Sequence, residues 1–176
     1  MAREQPAAGL FSAEGGCACG SVRYRVTERP FDACYCHCRL CQLSSGAPAI
    51  AFGTVHRNDY QVTEGEPRKR QSSTFGERWF CADCGTPLAM LIEHQPDTID
   101  ISLATLDQPE VTAPEFHIWI SSKIAWFETG DGLSEHLRFR PGAPGFGPKV
   151  ETAAQSSPNE SGHNPLAPPI TLGAAS

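Results

Sequence analysis

The sequence predicts a mostly β, antiparallel domain organised around bound metal, and three observations predict it. Apolar residues recur with a period of two through the middle of the chain. No long amphipathic helical pattern interrupts them. Eight cysteines among 176 residues fall into three tight clusters: Cys17-x-Cys19, Cys34-x-Cys36-x-Cys38-x-x-Cys41 and Cys81-x-x-Cys84. Thiolates two or three positions apart can aim at one ion, with Zn–S about 2.3 Å. Cysteines one residue apart rarely have the Cβ geometry of a disulfide.

The strands come in order. Val22, Tyr24 and Val26 alternate with Ser21, Arg23 and Arg25. Ile99, Ile101 and Leu103 alternate with Asp100, Ser102 and Ala104, and Ile118 and Ile120 with His117, Trp119 and Ser121. Each pattern reads as a strand with one buried face. Turn chemistry separates the strands at Glu28-Arg29-Pro30, Gly65-Glu66-Pro67, Phe75-Gly76 and Gln95-Pro96-Asp97. One short helix is expected after Cys38, through Leu40, Cys41 and Leu43 to Ser45, stopped by Gly46.

Three zones follow: a flexible arm at 1–12, a domain at 13–140 holding every cysteine and tryptophan, and a tail at 141–176. The tail has seven prolines, five glycines and one aromatic, too little apolar surface to offset its ordering entropy, so it is expected to be disordered. A net charge of −6 with 14 Lys and Arg disfavours nucleic acid as a partner. No apolar run reaches the length of a membrane span, and Met1–Gly16 lacks the apolar centre of a signal peptide. A cytoplasmic protein is expected, where clustered cysteines stay reduced and favour metal.

Cys17-x-Cys19-Gly20 and Cys81-x-x-Cys84-Gly85 read as two halves of one site, each with a glycine where a metal knuckle calls for positive φ. Four thiolates fill a tetrahedron, the mark of a structural zinc. Cys36, Cys38 and Cys41 have the spacing for a second zinc with one position left for water or substrate, the layout of a catalytic site. If residues 34–38 form a strand, Cys34 shares a face with Cys36 and Cys38 and can close that site instead. Spacing alone leaves both arrangements open.

Several segments together resemble the glutathione-dependent formaldehyde-activating enzymes. They are Gly15-Gly16-Cys17-Ala18-Cys19-Gly20-Ser21-Val22-Arg23-Tyr24, Cys36-His37-Cys38-Arg39-Leu40-Cys41, Gly46-Ala47-Pro48 and Arg78-Trp79-Phe80-Cys81-Ala82-Asp83-Cys84-Gly85-Thr86-Pro87-Leu88. Asp107-Gln108-Pro109, Pro114, His117-Ile118-Trp119, Ser121 and Trp126 continue the pattern, which covers about residues 13–135. The resemblance implies a zinc-bearing β-tent, shared with centromere protein V. It implies a structural zinc on Cys17, Cys19, Cys81 and Cys84 and a catalytic zinc on Cys36, Cys38 and Cys41, two ions per chain, with Cys34 left as an extra thiol. The implied activity is that of a carbon–sulfur lyase joining glutathione to formaldehyde, with small molecules as partners.

Such chemistry needs a thiolate near neutral pH, although a free thiol titrates near about 8.5, and a group that moves one proton. His37 and His117 are the candidates for that group within the motifs. Arg39 and Arg78 are candidates for an anionic substrate's carboxylates or plain surface charges; Lys69-Arg70 is a short charge run. Trp79, Trp119, Trp126, Phe80 and Phe127 read as core or pocket wall. The competing readings are a zinc-stabilised binding module without chemistry and a redox sensor in which Cys34 resolves a displaced ligand.

Overall fold

A computed structural model of the chain describes residues 11–143. Most of the expected arm and tail therefore lie outside the described residues. A compact unit runs to Pro141; of the unit that begins at Gly142, only Gly142 and Ala143 are described.

The strands are β1 (Ala13–Gly16), β2 (Arg23–Val26), β3 (Phe31–Cys36), β4 (Ile50–His56), β5 (Tyr60–Glu64) and β6 (Arg68–Gln71). They continue as β7 (Gly76–Phe80), β8 (Pro87–Ile92), β9 (Thr98–Ser102), β10 (Phe116–Ile118) and β11 (Ser134–Glu135). They form a three-stranded sheet, β1-β2-β5, and an eight-stranded sheet in the order β11-β10-β3-β4-β9-β8-β7-β6. The described chain is mostly β, as the alternation predicts. Pairing is antiparallel except where β10 joins β3 and β11, which run parallel to it.

The core follows from the period of two. Tyr24 and Val26 from the small sheet, with Val22 just before it, meet Val55, Leu88, Ile99 and Ile101 from one face of the large sheet, all of them buried. Full burial of each aliphatic side chain is worth about 2 kcal/mol. Tyr24 is buried because its ring stacks on Tyr60 at 5.1 Å and its hydroxyl meets the Thr105 hydroxyl at 2.8 Å. The opposite face of the large sheet carries a smaller apolar cluster of Ile50, Phe52 and Met90 with Cys36 and Cys41.

The one described α-helix, α1 (Arg39–Ser45), matches the expected segment. The Cys38 sulfur caps its start by accepting from the Cys41 N–H at 3.3 Å. Gly46 ends it at φ 68°, and its N–H returns to the Gln42 carbonyl at 2.8 Å.

Four expectations change. The strand over 99–104 ends at Ser102, where a 3-10 turn takes Leu103 and Ala104. The strand over 117–121 ends at Ile118, because Trp119 takes φ 59° and starts a 3-10 turn. β3 stops at Cys36, so no strand carries Cys34, Cys36 and Cys38 together. Trp126 is 73% exposed instead of forming a core or a wall, because the irregular stretch after Ile118 leaves it outside the sheets.

Gly65 turns the chain from β5 to β6 at φ 66°, where a Cβ would come within 1.9 Å of the Ser21 carbonyl oxygen. Left-handed strain and that collision with backbone act together. Gly65→Ala is expected to destabilise the fold by more than about 1 kcal/mol, read from a urea unfolding curve; an unchanged midpoint would contradict this packing.

Candidate functional site

Two hairpin turns meet to form the first cluster. Cys17 and Cys19 lie between β1 and β2; Cys81 and Cys84 lie between β7 and β8. The turns are built alike. Gly20 N–H donates to the Cys17 carbonyl at 3.1 Å and Gly85 N–H to the Cys81 carbonyl at 2.9 Å. Gly20 and Gly85 sit at φ 83° and 77°, the conformation the glycines were expected to supply. Ala18 N–H donates to the Thr86 hydroxyl at 3.1 Å and joins one turn to the other.

The four sulfurs lie within 4.8 Å of one another. Cys17 Sγ is 3.4 Å from Cys19 Sγ, which is 3.7 Å from Cys81 Sγ. A tetrahedron with Zn–S about 2.3 Å has edges of about 3.8 Å. Val22 N–H donates to Cys17 Sγ at 3.2 Å. The Thr86 hydroxyl and backbone hydrogen bonds hold the Cys84 thiol down at about 5. Donors aimed at sulfur favour thiolates, and several thiolates this close call for a cation.

Cys36, Cys38 and Cys41 form the second cluster, their sulfurs also within 4.8 Å of one another. β3 delivers Cys36, the helix cap delivers Cys38, and the first turn of α1 delivers Cys41. Hydrogen bonds from the Cys36 and Cys41 thiols pull Cys38 down to about 3, while the Cys36 thiol is pushed well up. Three sulfurs in so small a space share their charge unevenly until a cation relieves the repulsion. Soft thiolates suit zinc. The Arg78 guanidinium donates to Cys41 Sγ at 3.3 Å. Cys34 does not join the group; it is buried, and desolvation pushes its thiol up.

Behind this cluster, polar groups pin the chain. The Gln42 amide donates to the His37 carbonyl at 2.8 Å and to the Ser122 carbonyl at 3.0 Å. His37 N–H donates to the Ile118 carbonyl at 3.0 Å. His37 Nε2 lies 2.8 Å from His117 Nδ1, and His117 Nε2 lies 3.0 Å from Asp131 Oδ2. Both rings are fully buried. An ionised carboxylate only accepts, so His117 Nε2 carries the proton; in a neutral His117 ring Nδ1 then accepts from His37 Nε2–H. His37 Nδ1 is then bare, and it is buried without a hydrogen-bond partner. Burial lowers the His37 pKa, in keeping with a neutral ring.

Residues 12–122 match the family described as glutathione-dependent formaldehyde-activating enzyme, well over half of the chain. The chain belongs to that family. A Halomonas elongata protein named, provisionally, as a glutathione-dependent formaldehyde-activating enzyme is 28% identical over 126 residues, 65% of this chain and 79% of its own. An uncharacterized lyase of Schizosaccharomyces pombe is 36% identical over 76 residues, 43% of this chain; the match spans only 54% of the yeast protein. A crystal structure of a Rhodobacter sphaeroides protein aligns with TM-score 0.46 and 26% identity over 53% of this chain and 87% of its own, too loose to support an argument.

Within this formaldehyde-activating-type domain, the cysteines fall into the two groups that spacing set apart, and the motif histidines meet each other. Spacing did not reveal Gln42, Asp131 or Asp100. Asp131 follows Gly130 in an irregular stretch, where no periodicity marks it. Asp100 reads as the polar half of an alternating strand; burial, opposed by the Thr54 hydroxyl at 2.7 Å, raises its carboxyl to about 6. Glu28, His56 and Asp59 also bring ligand atoms within 4.8 Å of one another, on the surface. Among the described residues no helix is long and apolar enough to cross a membrane.

Imidazole nitrogen NMR at neutral pH is expected to find both His37 and His117 as Nε2–H tautomers. Asp131→Ala is expected to release His117 from that state. An Nδ1–H tautomer at either ring of the wild type would contradict the hydrogen-bonded chain.

Proposed function

We propose that this chain is a zinc-dependent carbon–sulfur lyase for thiol–aldehyde adducts, of the type that joins glutathione and formaldehyde as S-(hydroxymethyl)glutathione. The observation that carries the reading is the second thiol cluster: three converging sulfurs with Cys34 outside the group. Four sulfurs suit a closed, structural ion; three suit an ion that works on substrate. Membership of the family and the lyase name of the yeast relative support the same class.

The reaction balances without oxidant or reductant. A sulfur–carbon bond forms, the aldehyde's carbon–oxygen π bond breaks, and the thiol's proton ends on the new hydroxyl. Bound at Cys36, Cys38 and Cys41, zinc would supply the charge that keeps a thiol ionised near neutral pH or polarises a carbonyl oxygen. The chain's own residues do the rest. Arg78 places positive charge against Cys41, and Ile50, Phe52 and Met90 form an apolar wall that limits water. Gln42 and His37 fix the peptide that links Cys36 to Cys38. His117 has both ring nitrogens engaged and no exposed surface, so it takes part through His37 as a positioning residue.

The test is NMR exchange of labelled formaldehyde with glutathione, in which adduct formation also proceeds without protein. The zinc-loaded protein is expected to accelerate exchange above that background. Loss of a residue that only supports a metal ligand costs 10- to 100-fold. Cys38→Ser removes a ligand and is expected to cost about 100-fold or more. Serine keeps the helix cap, so circular dichroism should be unchanged. Wild-type protein that gives no acceleration would count against the lyase and favour a binding module.

A further inference from the structure

We propose that Arg70, beside Arg78, forms a carboxylate-binding subsite at the edge of the second thiol cluster, one that selects anionic thiols. The inference rests on the reading of that cluster as the reactive centre and adds how its substrate is chosen.

β6 and β7 pair antiparallel with Arg70 directly opposite Arg78. Residues opposite each other in such a pair project from the same face with Cβ atoms about 5 Å apart. Arg78 reaches Cys41 Sγ at 3.3 Å, so this is the face that carries the thiol cluster. Arg70 lies one strand farther out, about 4.8 Å from Arg78 in the pairing direction. It is exposed, at the open edge of the eight-stranded sheet.

Two like charges facing each other across strands destabilise a sheet unless a counter-charge answers them. The thiol cluster answers Arg78 through Cys41, but no carboxylate among the described residues answers Arg70. Glu77 belongs to the other face, where it accepts from the Trp79 indole N–H at 2.8 Å. Lys69 also belongs to that face, 4.4 Å above the Trp79 ring. Asp100 shares the row of Arg78 through Met90, two strands inward, but its carboxylate takes the Thr54 hydroxyl. Arg78 Nε is buried without a hydrogen-bond partner, while another nitrogen of the same guanidinium is on sulfur.

These features fit a ligand with a thiol at one end and a carboxylate at the other. Sulfur held at Cys36, Cys38 and Cys41 would leave the carboxylate to bridge the free edges of the two guanidinium groups. Arginine pairs with carboxylate through two parallel N–H···O bonds, which a lysine ammonium does not reproduce. A charged edge strand that merely discourages sheet-to-sheet association is the competing account. It gives Arg70 no part in ligand binding.

The test uses glutathione with no aldehyde present, so that its sulfur can reach the thiol cluster and nothing turns over. Calorimetric titration of the zinc-loaded full chain is expected to show binding that weakens by about tenfold in Arg70→Gln. The dimethyl ester of the same peptide is expected to bind wild type and R70Q alike, and R70K to recover only part of the loss. Arg70 is exposed and its side chain supports no described core residue, so R70Q should unfold at or above the wild-type midpoint. Equal affinity of wild type and R70Q for glutathione would overturn the subsite, as would a diester that binds wild type as tightly as the diacid. Because no turnover is measured, failure of the lyase reading would appear separately, as absent formaldehyde exchange with this binding pattern intact.

Discussion

Four sulfurs from two hairpin turns hold the architecture together. Cys19 and Cys81 are 62 residues apart in sequence, yet their sulfurs lie 3.7 Å apart. One turn belongs to the small sheet and the other to the large sheet, so the contact fixes how the layers face each other. Crowded thiolates repel, and closing so long a loop costs entropy. A cation at this point would offset both, because binding to a folded site becomes folding free energy. The Ala18 N–H donated to Thr86 and the two left-handed glycines serve that junction.

With the layers fixed, the faces of the large sheet divide the work. One face is filled by Val55, Ile99 and Ile101 against Tyr24 and Val26, and is all packing. The other carries Cys36, Cys41 and a small apolar wall, with Arg78 arriving from β7. The Cys36–Cys41 segment is braced by a strand end, a helix cap, the Gln42 amide and a buried imidazole pair. Such bracing suits the ligands of the proposed working metal, since small displacements of a catalytic group lose much of its effect.

The sequence carries some of this openly and some hardly at all. Thiolate pairs are local in sequence, and the glycines after Cys19 and Cys84 announce their own φ, so the first cluster could be grouped before any fold was known, while spacing left the place of Cys34 beside the second open. α1 was equally legible, because Gly46 stops it where a left-handed residue is needed. The His37–His117 contact spans 80 residues and depends on the parallel pairing of β10 with β3, which no periodicity encodes. Trp119 looked like the outward half of a strand, but its φ of 59° ends that strand. Asp100 sits at a polar position of ordinary alternation and Arg70 in a short charge run, and only sheet order reveals what lies beside them.

The central claim is a division between one metal site that holds the fold and one that serves substrate. The most direct measurement titrates the zinc-loaded full chain with a chelator while recording released zinc and far-ultraviolet circular dichroism together. The account predicts two steps: zinc from Cys36, Cys38 and Cys41 leaves first with the strand signal intact. Zinc from Cys17, Cys19, Cys81 and Cys84 leaves second, as that signal collapses. A single step that releases all the zinc along with the fold would contradict it.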